Sequence, residues 1–119
     1  MLHIALHIIV PLFVGLLVFR KQWRLASAIM LATMLVDLDH LFAEPIYDPQ
    51  RCSINFHPLH RLELILLYVT GCLFRPTRLI ATGLVIHMLL DSIDCQVNQG
   101  VWYTPPIISW FATSDTAAQ

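Results

Sequence analysis

Residues Leu25 to His40 read LASAIMLATMLVDLDH. The portion Leu25–Val36 is apolar on every side except for Ser27 and Thr33. A helix made from it has no polar stripe at helical spacing, which is what the surface helix of a soluble domain needs. The portion Asp37-Leu38-Asp39-His40 reverses that character. An all-round apolar helix ending in a group of ionisable side chains is the pattern of a membrane segment that opens on a polar site.

Working outward, the rest of the chain follows this pattern. Ile8–Phe19 is apolar throughout, and the apolar stretches run roughly Leu2–Phe19, Leu25–Phe42, Leu62–Phe74 and Leu79–Ile93. The links Arg20–Arg24 and Arg75–Arg78 are short, which favours antiparallel neighbours. The expected fold is all-α: a polytopic membrane protein forming a four-helix up-down transmembrane bundle over residues 1–95. Residues 96–119 are expected to form a tail on the outer face with a short interfacial segment. Trp102, Tyr103 and Trp110 suit a headgroup layer, and Pro106–Ala112, too short to span, is expected to roof the polar end. A spanning helix wants about 20 apolar residues, and each stretch reaches that length only by including polar residues at one end. A soluble bundle with a buried core is the competing reading, and the missing polar stripes weigh against it.

Composition agrees with the membrane. The 119 residues allow one domain, and they are 57% hydrophobic and 13% charged. Soluble domains carry about 25% charged residues because their surface is hydrated. Much of this surface therefore faces something other than water. The net charge of −1 and the lack of a Lys/Arg cluster leave no nucleic-acid footprint. A cleavable signal would put its positive charges before the apolar run. Here Arg20, Lys21 and Arg24 follow it, as behind a retained first helix.

The placement of charge gives a topology. Arg20, Lys21 and Arg24 lie in the first connection and Arg75 and Arg78 in the third, whereas the second has Arg51 and Arg61 beside Glu44 and Asp48. By the positive-inside rule the first and third connections are cytoplasmic. Both termini are then periplasmic in a multi-pass protein of a bacterial inner membrane. All six histidines and all eight acidic residues fall at the outer end under that assignment. Glu44, Asp48 and Asp115 read as solvated surface, and the remainder form a polar basin.

The basin has the composition of a metal site. His3 and His7, four apart, share a helix face. Asp37 and His40 share one as well, with Asp39 pointing away unless the helix loosens there. The second connection supplies His57 and His60, and His87, Asp91 and Asp94 form a stripe. Ionisable residues at membrane depth cost about 2.5–3.5 kcal/mol each for Asp and are kept when they face a cavity and find partners. The basic residues at that end are too few, so bound cations are the expected partners. Imidazole and carboxylate together suit a divalent transition metal, zinc first and manganese or iron next. The expected ligands are His3, His7, Asp37, His40, His57, His60, His87 and Asp91, enough for two or more ions. Asp39, Glu63 and Asp94 are candidate general bases.

Asp37–His40, His57…His60 and His87…Asp91 resemble a family of small bacterial membrane proteins of unknown function related to inner-membrane-associated metal-dependent hydrolases (the group that includes the LexA-binding member). That group is in turn distantly similar to zinc-dependent phospholipase C. The resemblance covers roughly Leu2 to Cys95. It implies an all-helical metal site that hydrolyses phosphoester bonds, with His87 and Asp91 as a His-x-x-x-Asp ligand pair. The hydrolase group has a His-Arg-Gly-x-Thr-His motif where this chain has His57-Pro58-Leu59-His60. Met1 and His3 stand where the phospholipases use an amino-terminal Trp.

Cys52 and Cys95 both fall on the outer side, where an oxidising compartment permits a disulfide; Cys95 as a soft ligand or bystander near the metals is the alternative. Cys72 reads as packing. The first functional expectation is metal-dependent hydrolysis of a phospholipid or lipid-phosphate substrate at the outer leaflet. The second is a non-enzymatic metal-binding membrane protein, structural or sensing. Ion conduction ranks last, because the cytoplasmic half offers no polar path.

Overall fold

A computed structural model describes residues 2–46, 48 and 50–105. Helix α1 spans Leu2–Val18. Helix α2 is a continuous rod, Arg20–Phe42, made of a 3-10 turn Arg20–Gln22, an α-helix Trp23–Ala32 and a 3-10 stretch Thr33–Phe42. A 3-10 turn at Pro58–His60 precedes α3, Leu62–Gly71, and α4 runs Arg78–Gln99. No strand occurs among the described residues. Helix α4 stops where Gly100 takes the left-handed conformation, φ 70°, and its N–H donates to the Gln96 carbonyl, a usual helix terminator.

Small residues let the helices approach closely. A Cβ on Gly83 of α4 would lie 2.8 Å from the Met30 Cα and 2.7 Å from Thr33 Oγ1 on α2. Gly15 of α1 abuts Ser27 of α2, and a Cβ on Gly71 of α3 would lie 3.0 Å from the Ala81 Cβ of α4. Close approach through small side chains is how helices associate when lipid leaves no hydrophobic force between them.

The distribution of side chains is inverted relative to a soluble protein. Many large apolar side chains are exposed, and they come from every helix, including Phe13 of α1, Leu35 and Phe42 of α2, Leu66 of α3 and Leu89 of α4. The buried set includes His7, Asp39, His57, His60, His87 and Asp91. Asp and His are rarely buried without a partner, so the interior is organised around polar groups.

Two helices are long and apolar enough to cross a membrane, Arg20–Phe42 with 23 residues and Arg78–Gln99 with 22. Helix α1 is apolar but has 17 residues, and α3 has 10. Ten residues rise about 15 Å, half the roughly 30 Å of a hydrocarbon core. The stretch Leu62–Phe74 was expected to be one helix across the bilayer. It is shorter because the chain leaves α3 at Gly71 in successive turns, Leu73 N–H to the Thr70 carbonyl and Phe74 N–H to the Gly71 carbonyl.

The second connection is tied to α4 and to the chain beyond it. A Cys52–Cys95 disulfide joins it to α4, so Cys95 is bonded to sulfur instead of waiting as a ligand. Residues following α4 fold back onto it: Thr104 N–H donates to the Ile54 carbonyl, Asn55 Nδ2 to the Thr104 carbonyl, and Ser92 Oγ to the Trp102 carbonyl. The segment Pro106–Ala112, Trp110 and Asp115 lie outside the described residues.

Candidate metal centre

The change of pitch in α2 positions the first two carboxylates. Side chains two residues apart sit about 160° apart on an α-helix and about 120° apart on a 3-10 helix. The 3-10 stretch therefore stacks Thr33, Val36 and Asp39 on its buried side, with Asp37 and His40 on the adjoining edge. A 3-10 run of ten residues is uncommon, since three or four is the usual limit. Its effect is to turn Asp39 inward beside Asp37.

The second connection delivers His60 between them. Asn55 has a positive φ of 63°, a conformation Asn tolerates better than most residues. Its N–H donates to the His60 carbonyl at 2.8 Å, closing a tight loop over Asn55–His60. The His60 ring, fully buried, then lies between two carboxylates. Its Nδ1–H donates to Asp39 Oδ2 at 2.9 Å, while Nε2 faces Asp91 Oδ2 at 3.1 Å and Asp37 Oδ1 at 3.5 Å.

Asp91 is the centre of the arrangement. Its Oδ2 faces Nε2 of His60 and, at 3.5 Å, Nε2 of His87. Its Oδ1 faces Nε2 of His3 and Nε2 of His7, both at 3.2 Å. Two ligand sets able to hold a metal ion follow: Asp37, His60, His87 and Asp91, and His3, His7 and Asp91. They share one residue, reached from opposite oxygens.

The tautomers are set from outside the cluster. His7 Nδ1 donates to the His3 carbonyl at 2.9 Å, which turns Nε2 toward Asp91. Asp39 holds the Nδ1–H of His60 likewise, which leaves Nε2 as the nitrogen that would give up its proton to a metal. Holding the distal ring N–H with a carbonyl or carboxylate is the usual second layer of a metal-binding histidine. Among the described residues, His7 Nε2, His60 Nε2 and Asp91 Oδ2 are buried without a hydrogen-bond partner. Lone pairs aimed at carboxylate oxygens repel unless a cation or proton lies between them, and a divalent metal is the cation that fits this donor set. His87 Nε2 also lies 3.0 Å from Asp37 Oδ1, while its Nδ1 is buried and unpartnered.

A further group, Asp39, His40 and His57, also has ligand atoms close enough for an ion. Most of its polar atoms are already engaged. Asp39 Oδ1 accepts from His40 Nδ1 at 3.0 Å, and Oδ2 accepts from His60 Nδ1 and from the Leu59 N–H, both at 2.9 Å. His40 Nε2 is 3.2 Å from Ser53 Oγ. The rings of His40 and His57 stack with centroids 3.8 Å apart.

Electrostatics differ between the two connection histidines. Burial, with the neighbouring His40, pushes His57 down to about 4. Burial also opposes charge on His60, but the carboxylates of Asp37, Asp91 and Asp39 around the ring outweigh it and raise its pKa to about 10.

Of the expected ligands, His3, His7, Asp37, His60, His87 and Asp91 come together in the two linked sets, and His40 and His57 in the separate group. Among the candidate bases, Asp39 is buried with both oxygens accepting hydrogen bonds. Asp94 is 44% exposed, with Oδ1 3.5 Å from His3 Nδ1. Glu63 is exposed and paired with Arg61 at 3.2 Å, and it belongs to none of the ligand groups. Ser53 and Asn55 did not stand out in the sequence.

A protein-family model matches residues 1–98 of the chain. No curated protein and no solved structure matches it.

Proposed function

The chain belongs to that family, a family of unknown function (DUF6122), and from this premise we propose that it is a membrane-embedded hydrolase holding two divalent transition-metal ions. Its substrate is a phosphoester in a lipid or lipid-linked molecule at the outer leaflet. The observation that carries the reading is Asp91, whose two oxygens address separate histidine sets at 3.1–3.5 Å. Asp91 would be a ligand in both sets, and a pair of ions held there would clamp a phosphoryl group undergoing displacement.

The two sets differ in a useful way. Asp37, His60, His87 and Asp91 offer four ligands, and His3, His7 and Asp91 offer three. Structural zinc takes four protein ligands, whereas a catalytic ion keeps a position for water or substrate. In the three-ligand set His3 is 37% exposed, and Asp94 beside it is 44% exposed. When bound, the ions supply Lewis acidity toward a phosphoryl oxygen and toward water. Asp94, outside both ligand sets but 3.5 Å from His3, would accept the proton of the attacking water. His7 and His60 hold their tautomers through the His3 carbonyl and Asp39.

Exposed leucine and phenylalanine around a buried polar centre support immersion in lipid. The four-span topology with periplasmic termini rests on the basic residues of the first and third connections. Reporter fusions at residue 22 and residue 119 test it, the second reporting periplasm. Resemblance to metal-dependent hydrolases and to zinc-dependent phospholipase C supplies the reaction class.

The decisive assay gives metal-loaded protein in nanodiscs phospholipids, isoprenoid phosphates and generic phosphodiesters. Turnover is expected, with Asp94→Asn slowing it about 100-fold or more while metal content holds. Inert wild-type protein at full loading would overturn the hydrolase. A non-enzymatic role is then the second reading, favoured by the four-ligand set, whose His60 and His87 are almost wholly buried.

A further inference from the structure

Three residues outside the two linked ligand sets form a chain of hydrogen bonds with chemistry of its own. His40 Nδ1 lies 3.0 Å from Asp39 Oδ1 and 3.2 Å from the Asp37 carbonyl, both acceptors. Nδ1 therefore carries the proton. Nε2 is left as a lone pair, and the group 3.2 Å from it is the hydroxyl of Ser53. A serine hydroxyl donating to an imidazole whose far side is held by a buried carboxylate is the arrangement that activates a nucleophile.

We propose that Ser53, His40 and Asp39 are a metal-independent nucleophilic centre that takes the acyl group of a lipid carboxylic ester. Asp39 is suited to the orienting role: it is 2% exposed and accepts three hydrogen bonds, from His40, from His60 and from the Leu59 N–H. Those donors fix its direction. Ser53 is half-buried and stands next to Cys52, which the disulfide ties to α4. The Ser53 carbonyl accepts from the Phe56 and His57 N–H groups, so the backbone behind the hydroxyl is fixed. The hydroxyl lies in a connection whose Phe56 and Leu59 are exposed, 44% and 39%, as befits contact with an acyl chain.

In the step proposed, Ser53 Oγ bonds to the ester carbonyl carbon as its proton passes to His40 Nε2. The carbon–oxygen bond to the alcohol then breaks, and the alcohol leaves with that proton. Water attacks the acyl-serine with His40 again accepting a proton. Ser53 departs with it, and the fatty acid is released. No oxidant, reductant or further co-reactant is needed. The same residues hold no ion in this account, because Asp39 and His40 spend their donor and acceptor atoms on one another, on His60 and on Ser53.

An alkyl fluorophosphonate reports on such a serine directly. Full-length protein in detergent, metal-loaded in one arm and chelated in the other, is treated with the probe and its peptides are read by mass spectrometry. The adduct is expected on Ser53 in both arms, absent in Ser53→Ala, and at least about 100-fold slower in His40→Gln. The disulfide and helical content of each variant serve as the fold control. Because the wild-type arm needs no variant, an unlabelled Ser53 there overturns the proposal whatever the variants do. Labelling equally fast in a folded His40→Gln protein, or a metal ion found on Asp39, His40 and His57, overturns it as well. Failure here leaves the phosphoester hydrolase untouched, since neither linked ligand set takes part.

Discussion

Asp39 Oδ2 accepts a hydrogen bond from His60 Nδ1 at 2.9 Å, so the face His60 turns toward Asp91 is decided by a residue that offers no atom to either linked ligand set. Outer partners of this kind are worth about 10- to 100-fold in metal affinity. Asp39→Asn should weaken metal binding by that factor without removing a ligand. Competition against a chelator of known affinity measures it, and an unchanged constant would mean that His60 is oriented otherwise.

The pH dependence of binding follows from the same ring. With its pKa raised to about 10, His60 is a cation at neutral pH in the metal-free protein and must lose its proton to become a ligand. Apparent affinity should therefore rise roughly tenfold per pH unit between pH 6 and 8, with at least one proton released per chain in calorimetry across buffers. The sign for folding is opposite. A raised pKa stabilises the metal-free fold fully below about 6.5, and that contribution is lost as pH rises through about 10. Chelated protein should lose thermal stability from pH 7 to pH 10, and a rise over that range would contradict the assignment.

How far the sequence was legible depends on distance along the chain. The shared faces of Asp37 with His40 and of His3 with His7, and the stripe His87, Asp91, Asp94, are local periodicities and were visible. Turning Asp39 inward required a ten-residue 3-10 run that no local signal announces. Glu63, expected in the basin, is exposed beside Arg61 because it sits in the first turn of α3 on the side away from the cluster. The short α3 was hidden by Leu73 and Phe74, which extend the apolar stretch in composition but lie beyond the helix. Asp91 as the joint between two ligand sets depends on α1 packing against α4, which is not local at all.

Gly83 tests whether helix packing sets the site. Its Cβ would fall 2.8 Å from a backbone atom, the Met30 Cα, which cannot swing aside as a side chain would. Gly83→Ala should cost about 1–3 kcal/mol, the usual range for overpacking, and should part α2 from α4. Asp37 and His87 lie on those two helices, 3.0 Å apart, so metal affinity should fall in parallel. Thermal unfolding and chelator competition on the same preparation check both effects. Stability lost with affinity kept would separate packing from the site.

The disulfide closes a separation of 43 residues, for which the chain-entropy relation gives about 4 kcal/mol. Cys52→Ala should lower the unfolding temperature and loosen the connection carrying His57 and His60, and with it the hold on metal. Mass spectrometry of unreduced peptides should find Cys52 joined to Cys95 with Cys72 free. Free thiols at positions 52 and 95 in protein exported through an oxidising compartment would refute the bond.

The central claim is that Asp91 serves two ions, and the metal-to-chain ratio tests it most directly. Protein purified without chelators and analysed for transition metals should carry two ions per chain. Asp37→Ala should lower the ratio to about one, because it removes a ligand from one set only. Asp91→Ala should take it below one, because it removes a ligand from both. A wild-type ratio of one or zero, or an Asp91→Ala protein that still carries two, would contradict the account.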